Sequence, residues 1–204
     1  MMVGGDNVDS SNILKLINPG TVGAEVGVWK GSTSKKLLQK DLKKLYMIDP
    51  WSTSGYDPAL NAITDDTFDY VNGYLTKYSK IAGGNSPAHF NKYYDSIHAG
   101  VVKEFTNPEA EICRMTLEVW AKKYSDVKLD WIYVDGDHSY TGVMNDLNLS
   151  IKVLKEDGLI LGDDYTWGKE QVTKIGVNRA VNEFVKKNNF KLVQHGSKQF
   201  QIIR

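Results

Sequence analysis

The sequence predicts a single α/β domain built on a mostly parallel, doubly wound sheet with helices on both faces. Three observations predict it. Short apolar runs at residues 21–28, 45–51, 129–136 and 159–165 alternate with stretches of helical periodicity, glycines or acidic residues close those runs, and the chain ends in two short strands around a turn. Alternating strand and helix argues a parallel sheet covered on both sides. With 204 residues, 41% of them hydrophobic, the chain can bury most of its apolar surface as one domain and is short for two.

The elements follow in chain order. Residues 21–28, TVGAEVGV, form a glycine-punctuated strand, and Leu37, Leu38, Leu42 and Leu45 then fall at helical spacing. Ser32 or Thr33 is the expected N-cap of that helix, because a side-chain oxygen there accepts an unsatisfied backbone N–H. The lysines between Lys30 and Lys44 read as a solvated helix face. Residues 45–51, LYMIDPW, make a second strand that completes a β-α-β unit. Residues 129–136 are a strongly apolar strand, residues 140–158 a helix stopped by Gly158, and residues 159–165 another strand. After a helix around residues 178–189, the segments FKLVQ and KQFQIIR flank His195, Gly196 and Ser197 as a terminal hairpin, so an edge strand is expected to run antiparallel.

Residues 52–111 break this rhythm. They carry nine aromatic residues, from Tyr56 to Phe105, among glycines, prolines and asparagines. A connection of that length is usually functional, and the expectation is a helical lid over the carboxyl end of the sheet, with one helix over residues 64–80. A subunit interface, and hence a homo-oligomer, is the other use of such a segment.

Composition narrows the function. Lysine plus arginine number 25 and aspartate plus glutamate 25, so the net charge is zero, and no overall field attracts a nucleic acid. The sole cysteine, Cys113, excludes an intramolecular disulfide and a multi-cysteine metal site. No basic start with a following apolar stretch, and no run of about 20 apolar residues, marks export or a membrane. The reading is a soluble, cytoplasmic protein with a small-molecule partner.

The turn after the first strand, from Glu25 to Gly31, lies where open α/β sheets bind ligands. Gly27 allows close backbone approach. Glu25 is wrong for a pyrophosphate but suits an ammonium or a pair of hydroxyls, and Asp49, closing the second strand, is the acceptor expected for a ribose diol. Trp29 stands where a dinucleotide fingerprint has glycine, which speaks against a nicotinamide-dependent oxidoreductase. A cationic, ribose-bearing ligand fits better.

These residues resemble the class I S-adenosylmethionine-dependent methyltransferases, and within them the metal-dependent sugar O-methyltransferases of the macrocin type. The resemblance is carried by Glu25-Val-Gly-Val-Trp-Lys-Gly-Ser-Thr, Asp135-Gly-Asp-His-Ser-Tyr140 and Gly158-Leu-Ile-Leu-Gly-Asp-Asp-Tyr165, and it runs from Thr21 to about Asn189, the aromatic insertion excepted. It implies a seven-stranded sheet whose last strand is antiparallel. It also implies S-adenosylmethionine as cofactor, with Glu25 near the methionine ammonium, Asp49 on the ribose, and Gly27, Gly31, Ser32 and Asp135 around it. Met115 and Thr116, after the third strand, are expected beside the adenine.

Asp135, Asp137, Asp163 and Asp164 close two strands that are neighbours in such a sheet. Four carboxylates repel one another unless a cation or protons compensate, and oxygen-only ligands favour Mg²⁺, with Mn²⁺ or Ca²⁺ as substitutes. The bland alternative is that Asp163 and Asp164 cap a turn while Asp135 merely ends a strand. By resemblance the ligands are Asp135, Asp163 and Asp164. His138 is the expected general base, with Asp137 as the alternative; His89, His98 and His195 receive no role. The expected activity is methyl transfer to a hydroxyl of a small polar acceptor, a sugar or glycosylated metabolite. The rivals are a catechol- or phenol-type O-methyltransferase and a non-catalytic S-adenosylmethionine-binding module.

Overall fold

The computed structural model describes residues 11–52, 79–84, 86–166 and 176–204. Seven strands form one sheet: β1 (Val22–Val26), β2 (Lys44–Asp49), β3 (Ala110–Arg114), β4 (Leu129–Val134), β5 (Leu154–Gly162), β6 (Lys191–His195) and β7 (Gln199–Ile203). Their order is β3-β2-β1-β4-β5-β7-β6. β1 through β5 are parallel, and β7 pairs antiparallel with both β5 and β6. The last strand is therefore the antiparallel one, and it sits one place in from the edge, which β6 occupies. The order reverses between β1 and β4, which opens a crevice at their carboxyl ends.

Six helices cover the sheet among the described residues: α1 (Ser11–Leu14), α2 (Ser32–Leu38), α3 (Pro87–Glu104), α4 (Leu117–Lys123), α5 (Tyr140–Val153) and α6 (Val177–Asn188). Period-two alternation along the strands sorts the core into two layers. Ala24, Val26, Ile132 and Val134 pack with Leu117 and Trp120 of α4, Val143 and Leu147 of α5, and Ala180, Val181 and Phe184 of α6. Trp131, Tyr133 and Leu161 face the other way, against α1, α2 and α3. On α3 the buried residues Phe90, Tyr94, Ile97 and Val101 recur at three- and four-residue spacing, and each fully buried large side chain contributes about 1.5–3 kcal/mol. Ser86, Thr116 and Ser139 cap α3, α4 and α5 by accepting the N–H groups of His89, Val119 and Gly142. No helix among the described residues is long and apolar enough to cross a membrane.

Three expectations are corrected. Helix α2 is not capped by Ser32 or Thr33: its N-cap is Gly31, in the left-handed region at φ 76° with no side-chain cap. The helix after β4 ends at Val153, not at Gly158. Residues 155–158 instead bulge out of β5, whose register jumps from Leu129↔Leu154 to Trp131↔Leu159. Arg204 satisfies the bulge by donating to the carbonyls of Glu156 at 2.6 Å and Gly158 at 3.2 Å. The charged Lys-Glu-Asp run mimics a helix end, but Leu154 is buried in the core and holds the strand in place. Finally, the second half of the expected lid belongs to the body: α3 is the crossover from β2 to β3, and β3 is the far edge of the sheet. The helix expected at residues 64–80 lies outside the described residues except for its last two, which are helical.

Candidate active site

The site is built where β1, β2, β4 and β5 end. Gly27 follows β1 with φ 91°, and its N–H donates to the Ile48 carbonyl at 2.9 Å. A Cβ on Gly27 would stand 2.0 Å from the Asp135 carbonyl oxygen. No L side chain fits there: the turn after β1 lies directly on the turn after β4. The glycine expected for close approach is thus required first by the protein's own backbone.

Asp49 ties this turn to the next. Its Oδ2 accepts from the Trp29 N–H at 2.9 Å and its Oδ1 from the Trp51 N–H at 2.7 Å, while Trp51 Nε1 donates to the Trp29 carbonyl at 2.9 Å. Burial pushes the Asp49 carboxyl above its ordinary pKa, and these N–H groups and Arg114 oppose the rise. A carboxylate has about four lone-pair sites; the Val28 N–H acts on Asp49 as well, which leaves room for one further donor. Glu25 is 1% exposed and accepts a short hydrogen bond from the Ser34 hydroxyl. Burial raises its pKa well above the ordinary value against that bond, and Asp135 and Asp49 add to the rise.

Beside these turns lies a cavity of about 760 Å³, within the range of small-molecule sites. Val26, Gly27 and Ile48 line it from the strands, Pro50, Met115, Thr116 and Leu117 from the exits of β2 and β3, and Gly136, Asp137, Gly142 and Asp146 from the start of α5. Of the residues expected to hold a cofactor, Gly27, Met115 and Thr116 line the cavity. Glu25, Gly31, Ser32, Asp49 and Asp135 do not: Glu25 and Asp49 are buried, Gly31 lies under the Phe105 ring, and Ser32 is exposed on α2.

A second cluster stands at the ends of β4 and β5. His138 Nε2 lies 3.1 Å from Asp164 Oδ2 and 3.5 Å from Asp135 Oδ1, and one ligand atom from each of the three residues falls within 4.8 Å of the others. Asp164 is held at φ 54°, a strained region that aspartate tolerates better than most residues. Asp163 is not brought into this group. Its Oδ2 accepts from the Tyr133 hydroxyl at 2.9 Å and its Oδ1 from the Asp164 N–H at 2.7 Å. Of the expected oxygen-only set, Asp135 and Asp164 come together with His138 between them, and Asp163 is engaged by Tyr133 beside them. Two such carboxylates could hold a divalent cation.

The charges in this cluster decide which group can take a proton. Burial opposes a charge on His138, but the hydrogen bonds and charges of Asp135 and Asp164 outweigh it and lift its pKa to about 10. Burial likewise pushes Asp135 up to about 6 in spite of His138, whereas Asp164 stays below the ordinary carboxylate value because His138 overcomes the burial. The two carboxylates thus favour the protonated form of the His138 imidazole. Asp137, the alternative base, is engaged by the first turn of α5. Ser139 donates to its Oδ1 from the N–H at 2.9 Å and to its Oδ2 from the hydroxyl at 2.8 Å, which makes it part of the cap of α5.

Three contributors were not singled out from the sequence. Tyr133 lies two residues before Asp135 on the same strand face, so strand periodicity could have found it. Gln199 donates to the Tyr133 hydroxyl at 3.4 Å and accepts from the Ile13 N–H at 3.4 Å, a link only the fold creates. Gly176 presses on the site loop so closely that a Cβ there would meet the His138 carbonyl oxygen at 1.4 Å.

A family model described as a methyltransferase domain matches residues 24–165. An uncharacterized protein of Acanthamoeba polyphaga mimivirus is 26% identical over 143 residues, 69% of this chain and 50% of its own length. The chain thus spans about half the length of that curated relative. Among solved structures, a candidate rRNA-methylase from Clostridium thermocellum superposes with a TM-score of 0.60 at 11% identity, covering 100% of this chain and 99% of the other. The O-methyltransferase from Bacillus cereus, in complex with SAH, gives a TM-score of 0.54 at 10% identity, with 98% of this chain and 84% of that one covered. At such identities the likeness is one of fold.

Proposed function

The chain belongs to this methyltransferase domain family, and from that premise we propose that it transfers a methyl group from S-adenosylmethionine to a hydroxyl of a small polar acceptor, a sugar or glycosylated metabolite, as in the macrocin-type branch, with help from a divalent cation. The observation that carries the proposal is the pairing of two features at the same strand ends: a cavity bounded by Gly27, Met115 and Thr116, and beyond it the group of Asp135, His138 and Asp164. One is suited to a nucleoside and the other to a cation, and Asp135 lies where the turns that build them meet.

In this reading Asp49 receives a ribose hydroxyl through its remaining lone pair, and Met115 and Thr116 flank the adenine. S-Adenosylmethionine supplies the electrophilic methyl group. Asp135 and Asp164 would hold the cation, which would supply Lewis acidity. His138, beside both carboxylates, is the group that takes the proton of the acceptor hydroxyl at Nε2, with Asp137 as the alternative base. Asp163, anchored by Tyr133, keeps the turn after β5 in register. Two reactants held in fixed positions avoid much of the entropic cost of displacement.

Incubation with labelled S-adenosylmethionine and a panel of sugars and phenols, with Mn²⁺ or Mg²⁺ and after chelation, tests this. Label on a sugar hydroxyl that disappears on chelation supports the proposal. Transfer only to phenols, or full turnover without a cation, contradicts its acceptor or its metal.

A further inference from the structure

A chain of buried polar groups runs from the amino-terminal helix to the end of β5, and the scheme above uses only its last link. The Ile13 N–H of α1 donates to Gln199 Oε1 at 3.4 Å, Gln199 Nε2 donates to the Tyr133 hydroxyl at 3.4 Å, and that hydroxyl donates to Asp163 Oδ2 at 2.9 Å. Every donor in the chain points toward Asp163. Tyr133 and Gln199 are 0% and 2% exposed, and Tyr133 sits in the apolar layer with Ile13, Leu14 and Leu161. A polar group in such a layer costs stability unless it is bonded. Phenylalanine and methionine would fill the same two places with no polar atom to satisfy, so packing alone gives no reason for the hydroxyl and the amide.

The reason lies at the far end of the chain. The other oxygen of Asp163, Oδ1, accepts from the Asp164 N–H at 2.7 Å. Asp164 stands at φ 54°, a conformation that persists only where the surroundings hold it, and its Oδ2 lies 3.1 Å from His138 Nε2. We propose that Tyr133 and Gln199 are positioning residues for the site. By fixing the Asp163 carboxylate they fix the Asp164 N–H, and so aim the Asp164 carboxylate to where it meets His138 and Asp135. The amino-terminal helix is thereby coupled to the site, because α1 supplies the first donor. The inference rests on the proposal that Asp135 and Asp164 hold a divalent cation, and it gives Tyr133 and Gln199 no part in the transfer itself.

Titration of the metal-free protein with Mn²⁺, followed by electron paramagnetic resonance, tests it, with urea unfolding measured on the same variants. Tyr133→Phe removes one oxygen and keeps the ring. It is expected to weaken Mn²⁺ binding by about ten-fold or more, the range for loss of a group that orients a ligand, and Gln199→Met by a smaller factor in the same direction. In an Asp163→Ala background the chain has no end to act on, so Tyr133→Phe is expected to cause no further loss of Mn²⁺ affinity. Leu45→Val, a core substitution outside the chain, is expected to lower the urea midpoint and leave Mn²⁺ affinity unchanged. Wild-type affinity in both Tyr133→Phe and Gln199→Met, an equal loss from Tyr133→Phe with and without Asp163, or an equal loss in Leu45→Val would overturn the inference and leave the cation site standing. Failure of the wild-type protein to bind Mn²⁺ would overturn both.

Discussion

His138 and Asp164 form an ion pair across the ends of β4 and β5, with Nε2 3.1 Å from Oδ2. The pair replaces, in the metal-free protein, the positive charge that two converging carboxylates need. It also means that cation binding and protonation of His138 compete for the same oxygens.

The first consequence concerns pH. The His138 pKa is raised from 6.5 to about 10, so its contribution to stability is complete below about pH 6.5 and is lost as the pH rises to 10 and beyond. Thermal melts of the metal-free protein are expected to show a fall over that window of about 2–4 kcal/mol, and His138→Gln should flatten it. A wild-type profile as flat as that of the variant would contradict the charge assigned to His138.

Cation binding should show the opposite trend. Mn²⁺ is expected to raise the melting temperature of the wild-type protein, more at pH 8 than at pH 6, because protons on His138 and Asp135 oppose it. Asp164→Asn should abolish the effect. Asp163→Asn should weaken it less, since Asp163 stands outside the group and is occupied by Tyr133. Equal effects of the two substitutions would restore Asp163 as a direct ligand.

Asp146 makes a separate prediction for stability. Burial and the charge of Asp137 push its pKa from 3.8 up to about 7. The folded state therefore binds a proton that the unfolded state releases, and ionised Asp146 destabilises the protein as the pH rises from about 4 to 7. Asp146→Asn is expected to raise stability above pH 7 by about 1–3 kcal/mol and to have no such effect below pH 4. Denaturant titrations at the two pH values would check this.

Two glycines test the geometry without touching an ionisable group. Gly176→Ala forces a Cβ onto the His138 carbonyl, 1.4 Å away, so the loop carrying His138 must shift; cation affinity and activity are expected to fall together with a loss of stability. Gly100, within α3, has no atom within 4 Å of where a Cβ would stand, and Gly100→Ala should stabilise the protein by about 0.5–1 kcal/mol with activity unchanged. Chemical denaturation and turnover measured on both variants provide the comparison.

Much of the fold was legible in the sequence because the buried strands are continuous apolar runs closed by Gly27, Asp49, Asp135 and Gly162, and because α5 and α6 carry regular apolar stripes. The bulge of β5 was not legible. Residues 155–158 are charged like a helix end, and the group that stabilises their carbonyls, Arg204, lies more than forty residues away. The crossover helix α3 was hidden within an aromatic-rich segment whose composition gives no layer assignment. At the site, the motif turns point to the strand ends where Asp135, His138 and Asp164 meet, but not to how these residues pair. The proximity of His138 to two carboxylates depends on side-chain direction, and the diversion of Asp163 depends on Tyr133, which no spacing rule connects to it. Asp146 has no motif at all: it reaches the cavity through the pitch of α5.

Calorimetric titration of the purified protein with S-adenosylhomocysteine, run beside NADH, bears most directly on the cofactor assignment. One-to-one binding of S-adenosylhomocysteine is expected, weakened by about ten-fold or more in Asp49→Ala, which removes the acceptor for a ribose hydroxyl, together with no binding of NADH. Absence of binding by S-adenosylhomocysteine, or equal binding of NADH, would contradict the assignment.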